Sequence, residues 1–126
     1  MARHSSTQPT EVELEILRIL WEAGPSTVRE VHNRLSEEKQ TLYSTTVKML
    51  VVMLEKGLVK RDDSVRPQIY QAAAKQKQVQ KRMLQNLIQK AYDGSAKNLL
   101  LQAISSAKSS KEDLDEIRKL IDEMTE

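Results

Sequence analysis

A mainly α fold, with three helices and a β-hairpin leading into a second helical region, is what this 126-residue sequence predicts. Three observations carry that prediction. Apolar residues recur at three- and four-residue spacing through most of the chain, the period changes to two directly after Gly57, and from about Lys75 the helical pattern returns.

The elements can be justified in order. Met1 to Gln8 is polar. Thr10 with Glu13 forms a capping box for a first helix running to about Ala23, whose stripe is Leu14, Ile16, Leu17, Leu20 and Trp21, and Gly24 and Pro25 end it. Trp21 is expected in the core. Thr27 and Glu30 form a second capping box, Val28, Val31 and Leu35 give the narrower stripe of a second helix ending near Glu37, and residues 36–42 turn into a third.

The stretch from Thr41 to Tyr70 organises the rest. Ser44 can cap the third helix, and Gly57 offers the left-handed position that ends it after Lys56. Val47, Leu50, Val51 and Leu54 are expected on its core face. Thr45, Lys48 and Val52 lie opposite, with Thr46 and Met49 at the flanks. Residues 58–61 then read as a strand, Asp62, Asp63 and Ser64 as a turn, and residues 68–71 as a returning strand. Pro67 suits an edge strand, where a missing N–H does no harm, and Arg61 and Arg66 flank the hairpin tip. Three helices plus a β-hairpin wing make a winged helix-turn-helix domain.

Beyond Lys75, Val79, Met83, Leu84, Leu87, Ile88 and Ala91 mark a helix closing near Asp93 and Gly94, and residues 99–101 with Ile104 mark a shorter one. Ser110 and Asp113 cap a last helix, on which Leu114, Ile117, Ile121 and Met124 follow heptad spacing. This is more apolar stripe than one small bundle can hide. The expected organisation is a winged-helix domain over 1–74 and a helical dimerisation domain over 75–126. Leu84, Leu87, Ile88, Leu100, Ile104, Leu114, Ile117 and Ile121 would meet a second copy. Packing of these helices back onto the winged domain is the alternative.

Composition narrows the function. The chain has no cysteine, which excludes disulfides, thiol nucleophiles and cysteine-based metal sites. No apolar run approaches a membrane span, and MARHSSTQP lacks the apolar core of a secretion signal, so a cytoplasmic address without membrane insertion is expected. The two histidines, His4 and His32, stand apart from any paired carboxylates or serine nucleophile, so neither an enzyme, a metal site nor a cofactor is expected.

The net charge of +2 is unevenly distributed. Residues 1–38 carry four Lys/Arg against seven acids, residues 39–90 eleven against three, and residues 91–126 five against eight. The basic block coincides with the third helix and the hairpin, and a nucleic-acid backbone is its natural partner. A helix entering a major groove by its N-terminus would present Tyr43, Ser44, Thr45, Thr46 and Lys48 to double-stranded DNA, with Arg61 and Arg66 on backbone or minor groove. A homodimer would read two half-sites. The competing class is a protein-interaction module whose basic block is only a solvated face.

The run ELEILRILWEAGPSTVREVHNRL, then LYSTTVKMLVVMLEKGLVKRD and RPQIYQAA, resembles the penicillinase repressor family of bacterial transcription repressors. The most specific parts are Glu13 to Trp21, Tyr43 to Thr45, Glu55 to Val59 and Arg66 to Tyr70, and the likeness covers nearly the whole chain. The resemblance implies a winged-helix domain, a helical dimerisation domain, and repression of an operon by binding a promoter dyad. It also implies release from DNA when a peptidase linked to a membrane sensor cuts the dimerisation domain. The bond that matches, by ungapped comparison, is Gln102–Ala103, where this sequence lacks the expected Asn-Phe pair. The family's copper-responsive branch needs thiolate ligands that a chain without cysteine cannot supply.

Overall fold

The computed structural model describes residues 8–106 and 108–125, so most of the expected polar tail, His4 included, lies outside the described residues. The chain divides into two compact units, Met1–Met83 and Leu84–Glu126.

The first unit contains α1 (Glu11–Ala23), β1 (Ser26–Thr27), α2 (Val28–Ser36), α3 (Tyr43–Lys56), β2 (Val59–Asp62), β3 (Ile69–Ala72) and the start of α4 (Gln76–Ala91). Both expected capping boxes form. The Thr10 and Thr27 hydroxyls accept from the Glu13 and Glu30 N–H groups, and the two carboxylates reach back to the cap N–H groups. α3 ends in a Schellman turn around Gly57 at φ +81, where Leu58 N–H donates to Met53 C=O and Gly57 N–H to Leu54 C=O.

The core joins the inner faces of all three helices to the sheet: Ile16, Leu17 and Leu20, then Val31 and Leu35, Leu50 and Met53, and finally Val59 and Tyr70. Trp21 is half-buried against this cluster, and its indole N–H donates to Ala74 C=O at 2.9 Å. Glu13 does more than cap. Its buried carboxylate also accepts from Lys56 Nζ at 2.8 Å, tying the start of α1 to the end of α3. Burial, the largest single influence, raises its pKa, but the hydrogen bonds and charge of Lys56 and the bonds from Thr10 together hold it below the ordinary carboxylate value.

Three expectations need correcting. The N-cap of α3 is Leu42, which makes no side-chain cap bond, and Ser44 sits exposed within the first turn. The buried face of α3 is Thr46, Leu50 and Met53; Val47 is half-buried and Val51 is 37% exposed. The stripe is rotated because α3 is apolar on nearly every side, and Thr46 can enter the core once His32 takes its hydroxyl. The sheet has three strands in the order β1-β3-β2, all antiparallel, with Thr27 opposite Ile69 and Arg61 opposite Tyr70. The returning strand β3 is therefore central, and Pro67 stands ahead of it instead of on an edge strand. The division between the two compact units lies inside α4, on which Val79 is buried.

The second unit comprises the rest of α4, then α5 (Ala96–Ser106) and α6 (Lys111–Met124). Asp93 at φ 51 and Gly94 at φ 83 end α4, and the Ser110–Asp113 capping box opens α6. Among the described residues of this unit, none is buried.

Candidate nucleic-acid interface

The fold presents the first half of α3 beside the hairpin. Tyr43, Ser44, Thr45 and Lys48 are exposed, and Val51 continues the same face one turn on. Thr46 is not among them. Its side chain is fully buried, and its hydroxyl and His32 Nδ1 are hydrogen-bonded at 2.9 Å, which removes it from any surface a groove could meet. The Ser36 hydroxyl, on the same helix α2, lies 3.3 Å from His32 Nε2, so the imidazole is held at both ring nitrogens and joins α2 to α3 through Nδ1.

Tyr43 is fixed from two sides. The edge of His32 meets its ring at 5.3 Å between centroids with the planes 83° apart, and the Arg29 guanidinium lies 4.0 Å from the ring centre. Sequence reasoning missed Arg29 altogether. Nothing local marks it, since its stacking partner is on the following helix.

The two wing arginines have different surroundings. Arg61 donates from Nε to Asp63 Oδ1 at 2.5 Å and from Nη1 to the Tyr70 hydroxyl at 3.4 Å. Its pKa is raised, first by the Tyr70 hydrogen bond and then by Asp63. Arg61, expected on backbone or minor groove, is thus bonded within the wing. The tip is closed by Asp62, whose Oδ1 accepts from both the N–H and the hydroxyl of Ser64. These bonds, the hydroxyl's first, lower its pKa. Arg66 is exposed, and its Nη1 donates to the carbonyls of Asp63 at 2.7 Å and Val65 at 3.0 Å, which orients the guanidinium.

Between the start of α2, the start of α3 and the return of the wing runs a groove of about 410 Å³, with Arg29 and Tyr43 on one wall and Arg66 and Pro67 on the other. An exposed helix face and a groove lined by Arg29 and Arg66 thus stand beside the wing, and the two cations are opposite in charge to a nucleic-acid backbone.

The model of the penicillinase repressor family matches residues 9–123, from the cap of α1 into the last turn of α6. The chain belongs to the penicillinase repressor family. That family consists of DNA-binding transcription repressors and not of enzymes. Compared with curated proteins one by one, the chain finds no match. Among the described residues, no group of three or more His, Asp or Glu could hold a metal ion, and no helix is long and apolar enough to cross a membrane.

The apolar positions expected to pair two copies all lie in the second unit. Leu84, Leu87, Leu100, Ile104, Leu114 and Ile121 are exposed large hydrophobics, and Ile88 and Ile117 are half-buried. Leu101, Leu120 and Met124, the last 76% exposed, are further exposed large hydrophobics of this unit. Gln102 and Ala103 are both exposed on α5, within regular helix.

Proposed function

We propose that this member of the penicillinase repressor family is a cytoplasmic homodimer that represses an operon by binding a dyad in its promoter. Tyr43, Ser44, Thr45, Lys48 and Val51 read the major groove, and Arg66 on the wing meets the backbone. The observation that carries the reading is the free face of α3, which offers hydroxyls, a cation and a valine methyl group to base edges while its opposite face is buried. The second unit supports the dimer. With no buried residue among its described ones, it gains about 1.5–3 kcal/mol for each large aliphatic side chain that a second copy covers. Proteolysis at Gln102–Ala103 would release the operator by severing that contact, and the exposure of both residues supports access once α5 opens locally.

Fluorescence anisotropy tests the reading, with the promoter region of the protein's own operon and an unrelated duplex titrated over a range of salt. A preference of about a thousandfold or more, with a log–log salt slope of several units, is expected. Equal weak binding to both would transfer the reading to a protein-interaction module.

A further inference from the structure

The groove between α2 and the wing is the feature of the winged unit that the face of α3 does not use. Its two cations are each held in place. The Arg29 guanidinium carbon lies over the Tyr43 ring, 4.0 Å from its centre, and Arg66 is anchored by two backbone carbonyls of the wing. The nearest wing acid is already occupied, since the Asp63 carboxylate accepts from Arg61 and, at 3.0 Å, from Gln68. Glu30, the acid on the first turn of α2, is engaged by the Thr27 N–H at 2.8 Å. The capping box uses the N–H groups of Thr27 and Glu30, leaving those of Val28 and Arg29 at the positive end of the α2 dipole. Tyr43 adds a phenolic hydroxyl on the same wall of the groove.

We infer that this groove is a clamp for a single backbone phosphodiester of duplex DNA, gripped from one side by Arg29 and from the other by Arg66. The inference rests on the DNA-binding reading above and assigns Arg29, on α2, a contact of its own. Guanidinium groups suit the task because their planar donor forks match phosphate oxygens. Both are oriented before DNA arrives, so little side-chain freedom is lost on contact. A phosphate held here fixes how far α3 enters the neighbouring groove and carries no sequence information.

The test uses the full chain with Arg29→Gln, Arg66→Gln and the double variant, each titrated with the promoter duplex and an unrelated duplex of equal length across salt. Each single variant should lose affinity on the order of tenfold on both duplexes alike, with the salt slope reduced by about one. The double variant should lose little more than either single one, because the phosphate is held only when both cations grip it, so either substitution alone releases it. Unchanged affinity and slope in the single variants would overturn the clamp. So would additive losses with a slope reduced by about two, which would assign the arginines to separate phosphates. Promoter preference retained with an unmoved slope would remove the clamp and leave the repressor reading. Loss of slope in the variants without any promoter preference in the parent chain would keep the clamp and remove that reading. Failure of the parent chain to bind either duplex would overturn both.

Discussion

The two units are built from similar helices and treat their apolar residues in opposite ways. In the first, three helices and a small sheet enclose nine mutually packed side chains, from Ile16 to Tyr70, and leave a polar, cationic face outside. In the second, leucines and isoleucines at the same spacings stay exposed or half-buried, and no described residue is buried. Amphipathicity alone therefore does not say where a helix buries its stripe. In the winged unit the chain supplies its own opposing surfaces, whereas three short helices in a unit this small do not, and in the proposed dimer a second copy would.

The largest expected effect comes from breaking the second unit's apolar surface. Ile121→Asp, or Ile117→Asp, places an unpaired charge where the partner's aliphatic side chains would pack. Sedimentation should show monomers, and promoter affinity should fall by about 10²–10⁴-fold as the second half-site loses its tether. A dimer that survives both substitutions would contradict this placement of the interface.

Leu50→Ala sharpens the contrast from the other side. Leu50 is fully buried between α1, α2 and the sheet, so its truncation should cost about 2–5 kcal/mol of stability. Followed by urea unfolding, that loss should not depend on protein concentration, whereas a loss from Ile121→Asp should. Concentration dependence of the Leu50→Ala loss would mean that the winged unit's core also relies on a partner.

How far the units were legible follows from how local their signals are. The boxes at Thr10–Glu13, Thr27–Glu30 and Ser110–Asp113 are written within four residues, and Gly57 with the change of period beyond it announces both the end of α3 and the hairpin. Ser26–Thr27 was not legible as a strand. Two residues show no alternation, and their pairing with Tyr70 and Ile69 is long-range. The register of α3 failed for a different reason. Val47, Met49, Val51, Val52 and Met53 make almost any face apolar enough, so the choice passed to a polar contact, His32 with Thr46, that spacing cannot reveal. Within the candidate interface, Tyr43, Ser44, Thr45, Lys48 and Arg66 lie exposed, Arg61 is drawn into the wing by Asp63 and Tyr70, and Arg29 became visible only through its stacking on Tyr43.

Glu13 offers a smaller, pH-dependent probe of the winged unit. Its folded pKa lies below the unfolded value of about 4.3, so its contribution is fully present above that value and is lost as pH falls through the folded pKa. Glu13→Gln keeps a side chain able to accept from Thr10 but removes the pairing with Lys56, which is partly exposed and can turn to water. The expected cost at pH 7 is about 1–2 kcal/mol. As pH falls through the lowered folded pKa the parent and variant stabilities should converge, as urea unfolding across pH would record. A constant gap down to pH 2 would show that the carboxylate's charge is not what stabilises the contact.

The smallest effect belongs to Thr46→Val, and it bears most directly on which face of α3 is which. The substitution keeps the shape of a fully buried side chain and removes the hydroxyl that His32 Nδ1 holds at 2.9 Å. The half-buried imidazole can keep Ser36 as a partner, so stability should fall by only about 0.5–1.5 kcal/mol. Because the Thr46 side chain has no exposed surface, promoter affinity and sequence preference of the folded variant should match those of the parent within about twofold, where a lost base contact would cost about 1–3 kcal/mol. Relaxed discrimination at one operator position, with stability unchanged, would put Thr46 back on the DNA-facing side and would require α3 to turn about its axis on binding.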